Sequence, residues 1–195
     1  MLSVAGSFFT CILPFTRPLA RRANKSAAAR AVGNTGVAKP ASTTPLSTIR
    51  LVELLNEGGL PPGVLNVIVG PGSVVGQELI KNPKVRKIGF TGETQTGKQV
   101  MAEAASDLKH VTLELGGSDP AIICDDADIE MASKTIAIGR FFNCGQPCLA
   151  EQRVYVHVAI DYQLRATADA RPQQLTGLPG RAAAPNLRHI PTDAR

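Results

Sequence analysis

Tryptophan is absent from this chain, and aromatic residues make up only 4% of it. A hydrophobic core must therefore be built from Val, Ile, Leu and Ala. Four cysteines in 195 residues are too few for a disulfide scaffold, so we expect reduced thiols and a cytoplasmic protein. Neither the cysteines nor the three histidines have the spacing of metal ligands, and we predict no metal site.

Acidic residues are missing from the first fifty positions, which carry seven Lys and Arg residues. The formal net charge of +5 would suit a nucleic-acid-binding protein. Residues 51–162, however, carry nine Lys and Arg residues against fourteen Asp and Glu residues, so the organised middle of the chain is acidic. Because no basic patch with stacking aromatics is visible, we predict no nucleic-acid partner.

Long hydrophobic runs are also lacking. The apolar run Ser3–Leu13 is far shorter than the roughly 20 residues that a transmembrane helix needs, so we predict no membrane partner. Its basic residues follow the run, whereas those of a secretory signal precede it. An Arg-rich, acid-poor transit peptide is the remaining alternative to a strand and turn that belong to the fold.

Between Ala29 and His157, short β-branched runs alternate with stretches of helical spacing. Strands are predicted at residues 35–39, 64–69, 85–90, 111–113, 121–124 and 154–157. Helices are predicted at residues 45–56, 72–80, 94–105 and 129–142. This alternation indicates an α/β fold, with a Rossmann-like parallel sheet and flanking helices.

Three local signals sharpen this prediction. Thr44 is predicted to cap a helix that begins at Pro45 and is closed by glycines 58 and 59. Residues 64–69 are predicted to form a strand buried on both faces. From residue 163 to residue 195 apolar periodicity stops, and we predict a disordered tail.

Two junctions between a strand and a helix are candidates for phosphate binding. The segment Gly70–Gly76 resembles a phosphate-binding glycine loop but has one residue too many, so a plain tight turn is an equal alternative. The segment Phe90–Thr94 also leads from a strand into a helix, and two such junctions on one sheet favour a dinucleotide. Lys39, at the end of a strand, is either a ligand contact or a solvated charge.

Glu114 and Cys148 have the chemistry of a thiol-based acyl-transfer site. Glu114 precedes two glycines that would let the backbone approach a ligand, although an exposed loop carboxylate is the alternative. Cys148 follows a helix and a Gly-Gln-Pro turn, in a loop of the kind that presents nucleophiles. A buried, inert cysteine is the alternative, and it is what we expect of Cys124 and consider for Cys144.

Five motifs then occur together in one order. They comprise residues 29–35 with Lys39-Pro40-Ala41-Ser42, residues 60–66, residues 90–93, residues 114–117 and residues 143–148. In sequence and spacing they resemble the aldehyde dehydrogenase superfamily over roughly residues 10–160. The resemblance implies a partial aldehyde dehydrogenase fold, NAD or NADP as cofactor and an aldehyde as substrate.

The resemblance also implies a role for each matching residue. Cys148 corresponds to the nucleophile, and Glu114 to the base that activates water to hydrolyse the thioester. Cofactor contacts are implied at Lys39, Ser42, Gly72, Gly76, Thr91, Gly92, Glu93, Leu115 and Gly116. Ser42 stands where many relatives carry Glu, so we predict that NADP is accepted as well as NAD, because its 2′-phosphate meets no carboxylate.

The chain departs from the family pattern in two places. The oxyanion-stabilising Asn corresponds to Thr16, 23 residues before Lys39, which can donate one hydrogen bond from a shorter side chain. Relatives are far longer, and their oligomerisation strand comes after the position of Cys148. We expect the resemblance to fade after about Val158 and the chain to be a truncated or frame-shifted product, so that the segment through which full-length relatives form homo-oligomers is missing.

These observations divide the chain into three parts. Residues 1–118 are predicted to be a partial NAD(P)-binding domain, residues 119–162 the start of a catalytic domain, and residues 163–195 the tail. The leading hypothesis is NAD(P)-dependent oxidation of an aldehyde to a carboxylic acid, impaired in this chain. The alternative is a non-catalytic nucleotide-binding module.

Overall fold

The structure is a computed structural model that describes residues 7–169. It divides into two compact units, Met1–Gly116 and Gly117–Arg195.

The first unit is a five-stranded sheet with helices between its strands. Its strands are β1 (Phe8–Ile12), β2 (Thr35–Lys39), β3 (Leu65–Val67), β4 (Val85–Thr91) and β5 (His110–Glu114). Its helices are α1 (Pro18–Ala31), α2 (Leu46–Glu57), α3 (Gln77–Lys81) and α4 (Thr94–Ala104). A π-helical turn, Gly72–Gly76, leads into α3, and a 3-10 turn, Ala105–Asp107, follows α4.

The strand order is β3-β2-β1-β4-β5, and every pair is parallel. This confirms the predicted α/β sheet. The chain moves outward from β1 to β3 on one side and then crosses back to β4 on the other. The direction of winding therefore reverses between β1 and β4, and such a reversal leaves a crevice at the carboxyl ends of the strands where α/β proteins bind ligands.

The core of the first unit lies on both faces of the sheet. Along β1, side chains alternate between the faces, as strand geometry requires. One cluster contains Phe9, Cys11, Leu13, Ala38, Val52 and Leu65. The cluster on the other face contains Ile12, Ile80, Val85, Ile88, Phe90, Val100 and Ala104. Because α2 contributes to the first cluster and α3 and α4 to the second, the sheet is covered on two sides.

One strand differs from its prediction. The structure has β3 over three residues, at the edge of the sheet, where residues 64–69 were expected to be buried on both faces. Asn66 is exposed, and so are Ile68 and Val69. The apolar composition of the segment indicated a central strand, but a strand's place in the sheet depends on its partners, which the local sequence does not contain.

The starts of two helices also differ from the predictions. Residues 18–31 form α1, where no helix was predicted, because this Ala- and Arg-rich stretch has little apolar periodicity while Ala and Arg favour helix intrinsically. Pro45 takes the N-cap position of α2 in place of Thr44, whose hydroxyl is buried and has no hydrogen-bond partner within residues 7–169. The predicted closure by glycine is present, since Gly59 has a left-handed φ of 95°.

The second unit contains a parallel pair, β6 (Asp119–Ile123) and β7 (Glu151–Val156). Between them runs α5 (Ile129–Phe141), which Asp128 caps by accepting a hydrogen bond from the backbone N–H of Met131 at 2.9 Å. Residues 142–145 form an irregular turn, in which Asn143 and Cys144 depart from helical backbone angles. The last helix, α6 (Asp161–Asp169), buries Leu164.

Helix α6 corrects the predicted start of the disordered tail. Residues 163–169 are helical, with an Asp161–Arg165 ion pair one turn apart at 2.8 Å. The rest of the predicted tail, residues 170–195, lies outside the described residues. Within the described chain, none of the helices combines the length and the apolarity needed to cross a bilayer.

Candidate active site

The first unit gathers its predicted site residues at one edge of the sheet. Thr16 follows β1, Lys39 ends β2 and Thr91 ends β4. The remaining predicted residues of this unit also lie at or after carboxyl ends of strands: Ser42, Gly72, Gly76, Gly92, Glu93, Glu114, Leu115 and Gly116. Because the strands are parallel, all these ends meet at the same edge.

The strand register aligns this edge in detail. Ile12 at the end of β1 is paired with Lys39 on one side and with Phe90 on the other. Thr91 is paired with Glu114, and the N–H of Gly92 donates to the carbonyl oxygen of Glu114 at 3.1 Å. Lys39 and Glu114 therefore end strands on opposite sides of β1, at the level of the crevice.

Lys39 is a buried cation, with 4% of its surface exposed. Its ammonium donates a hydrogen bond to the carbonyl oxygen of Pro40 at 3.2 Å. Burial lowers the pKa of Lys39, because the charged form loses hydration. An ammonium carries three donors, so this group can still donate to the hydroxyl or phosphate oxygens of a ligand.

Ser42 links two loops at this edge. Its hydroxyl donates to the carbonyl oxygen of Gly70 at 3.0 Å, which ties the loop after β2 to the start of the glycine loop after β3. The side chain is exposed. Because a backbone carbonyl accepts the hydroxyl proton, Ser42 would present a small neutral oxygen to a ligand rather than a carboxylate.

The glycine loop lines a small cleft. Gly72 and Gly76 border it together with Ile12, Phe90 and the α4 residues Thr96, Gln99 and Val100. The volume of the cleft is about 100 Å³. That space fits part of a dinucleotide rather than the whole. A Cβ added at either glycine would meet no atom within 4 Å, so there is free space at both positions.

The junction from β4 into α4 has groups that suit an anion. The Thr91 hydroxyl is buried and has no hydrogen-bond partner among residues 7–169, although buried hydroxyls normally have one. A Cβ at Gly92 would lie 2.6 Å from the ring of Phe90, so this turn requires glycine. Glu93 is the N-cap of α4 and forms no side-chain cap, which leaves N–H groups of the first turn available.

Glu114, Leu115 and Thr16 complete the first unit's edge. Glu114 is exposed at the end of β5. The Leu115 side chain packs over Gly97 of α4 and against the core. Thr16 is half-buried in the turn between β1 and α1, beside Arg17, whose φ of 47° is left-handed. This turn was predicted, and α1 begins directly after it at Pro18.

Cys148 lies in the second unit, in a constrained loop that follows α5. Three consecutive residues before it have left-handed φ angles: Asn143 at 50°, Cys144 at 59° and Gly145 at 74°. A left-handed conformation costs roughly 1–2 kcal/mol for a residue that is neither Gly nor Asn, as at Cys144. Cys148 is half-buried, and the next residue but one, Ala150, is buried and donates its N–H to the carbonyl oxygen of Pro147 at 3.1 Å.

Arg140 holds this loop and was not predicted from the sequence. Its guanidinium donates to the carbonyl oxygen of Gly145 at 3.1 Å. A Cβ at Gly145 would stand 3.1 Å from the same guanidinium nitrogen, which would have to shift by a few tenths of an ångström, and the φ of 74° itself favours glycine. The sequence offered one usable signal, a basic residue in the last turn of a helix, where cations pair with free carbonyl groups.

The cysteines differ from their predicted environments. Cys124 was expected to be buried in a strand but is exposed just after β6, and Cys144 is exposed as well. Cys11 is the buried thiol, in the core of the first unit. Among residues 7–169, no group of three or more His, Cys, Asp and Glu residues is arranged to hold a metal ion.

The sequence of the chain was compared with those of known protein families. The model of the aldehyde dehydrogenase family matches residues 5–186, and the chain belongs to this family. The match continues beyond Val158, where the resemblance was expected to fade.

Two curated relatives are similar over most of this chain. It is 46% identical over 165 residues to the mitochondrial aldehyde dehydrogenase of Leishmania tarentolae, covering 82% of this chain and 33% of that protein. It is 49% identical over 150 residues to the mitochondrial 10-formyltetrahydrofolate dehydrogenase of Mus musculus, covering 76% of this chain and 16% of that protein. The chain thus spans about a third or less of the length of these relatives.

Solved structures agree with the fold. An NADP-dependent enzyme of E. coli superposes with a TM-score of 0.82 at 40% identity, over 86% of this chain and 35% of that one. Betaine aldehyde dehydrogenase from Staphylococcus aureus in complex with NAD+ superposes with a TM-score of 0.82 at 39% identity, over 87% of this chain and 34% of that one.

Proposed function

We propose that this chain carries the machinery for NAD(P)-dependent oxidation of an aldehyde to a carboxylic acid, through a thioester on Cys148. The observation that carries the proposal is the convergence of the family's cofactor and base positions at the carboxyl edge of one parallel sheet. The constrained loop around Cys148 supports it from the second unit. Family membership supplies the reaction class.

The residues present fit a dinucleotide. Lys39, a buried ammonium with donors to spare, would hold ribose hydroxyls, and Ser42 lies three residues later, in the loop after β2. The unpartnered Thr91 hydroxyl and the start of α4 at Glu93 would meet the phosphates. When bound, NAD or NADP supplies the hydride acceptor. Solved relatives support this assignment, one being named as NADP-dependent and another as a complex with NAD+.

The proposed roles of the chain's own residues follow from their chemistry. The Cys148 thiolate adds to the aldehyde carbon and forms a thiohemiacetal, whose oxyanion Thr16 would stabilise with its hydroxyl proton. After oxidation to the thioester, Glu114 takes a proton from water, and the resulting hydroxide adds to the acyl carbon. The carboxylic acid leaves and the thiolate of Cys148 is restored.

The proposal predicts that NADP binds as well as NAD. A carboxylate at position 42 would repel a 2′-phosphate, whereas Ser42 carries no charge and its hydroxyl faces Gly70. Lys39, three residues earlier, provides a cation at the end of the preceding strand.

An activated ester tests the thiol chemistry without cofactor. The ester should acylate Cys148 of the parent and release its chromophore. In Glu114→Gln the acyl-enzyme should hydrolyse slowly, because the base is lost. Cys148→Ala should release none, whereas Cys124→Ala, which removes another exposed thiol of the second unit, should behave as the parent. Equal acylation of the parent and Cys148→Ala would refute the assignment of the nucleophile.

Aldehyde-dependent production of NAD(P)H tests the complete reaction. The absorbance of the reduced cofactor should rise with the parent and with Cys124→Ala and stay flat with Cys148→Ala. We expect the parent's turnover to be low, since Thr16 replaces an oxyanion-stabilising Asn and loss of such a donor costs roughly 10²–10³ in rate.

A non-catalytic nucleotide-binding module is the second candidate. It is favoured by the fact that the predicted cofactor positions all belong to the first unit, so nucleotide binding does not require Cys148. Folded protein that binds NAD(P) but neither acylates Cys148 nor oxidises aldehydes would support this candidate over the first.

We also propose domain boundaries, a location and an oligomeric state. Residues 1–118 would be the NAD(P)-binding domain and residues 119–162 the start of the catalytic domain. A cytoplasmic location was predicted from the cysteines, whereas both curated relatives are named as mitochondrial proteins. Homo-oligomers are expected of full-length relatives.

A further inference from the structure

Gln77 borders the small cleft at the glycine loop, and a second side chain holds its amide in place. The amide nitrogen of Gln77 donates a hydrogen bond to a carboxylate oxygen of Glu103 at 3.1 Å. Both residues are half-buried, and they belong to α3 and α4 respectively, so the bond joins the two helices beside the cleft. The reaction proposed above gives neither side chain a task.

The carboxylate of Glu103 determines which way round the amide lies. A carboxylate accepts hydrogen bonds, so the nitrogen of the Gln77 amide faces it and the carbonyl oxygen points away. The second carboxylate oxygen of Glu103 is buried and has no hydrogen-bond partner among residues 7–169. Within the same described residues, no donor reaches the Gln77 carbonyl oxygen. That oxygen is therefore an acceptor of fixed orientation that a ligand can use.

The remainder of the cleft is mostly apolar. Its apolar lining residues are Ile12, Ile80, Phe90 and Val100, and each of them is buried. Thr96 and Gln99 border the cleft from α4. Apolar walls with a few placed polar groups are typical of sites that bind an organic ring and orient it by its edge. At about 100 Å³ the cleft suits one such ring better than a charged phosphate.

The proposed cofactor brings one ring to this place, and this step rests on the proposed function. Lys39 and Ser42 are proposed to meet the ribose that carries the 2′-phosphate in NADP, and the same ribose carries adenine. The bond from Ser42 to Gly70 places this ribose site beside the start of the glycine loop. Because Gly72 and Gly76 of that loop border the cleft, the adenine base has its nearest apolar space there.

We propose that Gln77, held by Glu103, selects adenine over other purines in the cofactor. The amine at C6 of adenine donates to the carbonyl oxygen of Gln77, as it does where glutamine recognises adenine in DNA. A purine with an oxygen at C6 presents an acceptor to an acceptor, so the hydrogen bond is lost. Gln77 is thus a specificity-determining residue, and Glu103 is a positioning residue that keeps the amide from turning over.

Nicotinamide hypoxanthine dinucleotide is the probe, because an oxygen replaces the C6 amine of NAD in it. In calorimetric titrations of the full chain, NAD should bind at least about fivefold more tightly than the hypoxanthine form. In Gln77→Met, which retains a side chain of similar length without its polar atoms, the two affinities should become equal. Gln95→Met should keep the parent's ratio, because it removes an exposed amide of α4 that does not border the cleft.

Glu103→Gln tests the positioning role. An amide at position 103 can donate as well as accept, so the Gln77 amide can turn and offer its nitrogen to an oxygen at C6. The hypoxanthine form should therefore bind more tightly to Glu103→Gln than to the parent. A purely structural role of Glu103 predicts weaker binding of both dinucleotides instead. Should Gln77→Met fail to fold, this gain in affinity alone decides the question.

Three results would overturn the inference. Equal affinity of the parent for the two dinucleotides would do so and leave the proposed function standing. A preference for NAD that persists in Gln77→Met, or that is lost in Gln99→Met instead, would show that Gln77 does not select the base. A folded parent that binds neither dinucleotide would refute the proposed function and this inference together.

Discussion

Replacing Lys39 with Met tests whether the buried ammonium binds cofactor. Met has a similar length and fills the same space without a charge. In the structure the ammonium is almost fully buried and donates to the carbonyl oxygen of Pro40. A buried cation with few protein partners is expected to be kept for a ligand, because burial without compensation is unfavourable.

The magnitude follows from the bond that would be lost. A hydrogen bond to a charged group contributes about 1.5–3 kcal/mol. Because about 1.4 kcal/mol corresponds to a factor of ten, the dissociation constant of NAD(P) should rise between about tenfold and about a hundredfold in Lys39→Met. Folding stability at neutral pH should not fall, since Met avoids the cost of burying the ammonium.

The pH dependence of unfolding provides a separate measurement on the same variant. The pKa of Lys39 is lowered in the folded protein, so just below the unfolded value of 10.5 the unfolded chain binds more protons than the folded one. Stability from this group therefore rises with pH in that window. Denaturant unfolding of the parent should show the rise relative to Lys39→Met.

The assay is nucleotide titration by calorimetry or by fluorescence of the reduced cofactor. Lys84→Met is the matched control, because Lys84 is exposed at the amino end of β4, on the opposite edge of the sheet. Equal affinity of Lys39→Met and Lys84→Met for the cofactor would refute the reasoning, provided that both unfold in denaturant as the parent does.

Three other substitutions have defined outcomes. Ser42→Glu should weaken NADP binding by at least about tenfold and leave NAD nearly unchanged, because only NADP brings a 2′-phosphate to the new carboxylate. Thr16→Asn should raise the rate of acylation by the activated ester, since it restores the family's oxyanion donor. Lys109→Met should lower the free energy of unfolding by about 2–4 kcal/mol, because two hydrogen bonds of a charged group are lost. The Lys109 side chain is 1% exposed, and its ammonium donates to two backbone carbonyl oxygens at the end of α3, at 2.5 and 2.7 Å.

Each of these three substitutions has an outcome that would contradict its prediction. An equal loss of NAD and NADP binding in Ser42→Glu would indicate a disrupted loop rather than charge repulsion. An unchanged acylation rate in Thr16→Asn would remove Thr16 from the oxyanion role, with Cys148→Ala setting the background. For Lys109→Met the control is Lys81→Met, which removes an exposed lysine from α3, and equal stability of the two would contradict the importance of the buried ammonium.

The sequence by itself determined which residues share the edge of the sheet. Local signals predicted β2 with its observed bounds and placed α4 and α5 to within a residue at their ends. Once strands alternate with helices, the sheet is parallel, and the loops after its strands meet on one side. That reasoning brought Lys39, Thr91 and Glu114 to a common edge from positions far apart in the chain.

The tertiary structure alone decided burial and the order of the strands. It placed β3 at an edge, exposed Cys124 and Cys144, and buried the ammonium of Lys39. None of these can be read from neighbouring residues, because a side chain's exposure depends on segments that are distant in sequence. The left-handed turn before Cys148 is of the same kind, since it is held by a hydrogen bond from Arg140 rather than by the preferences of Cys144.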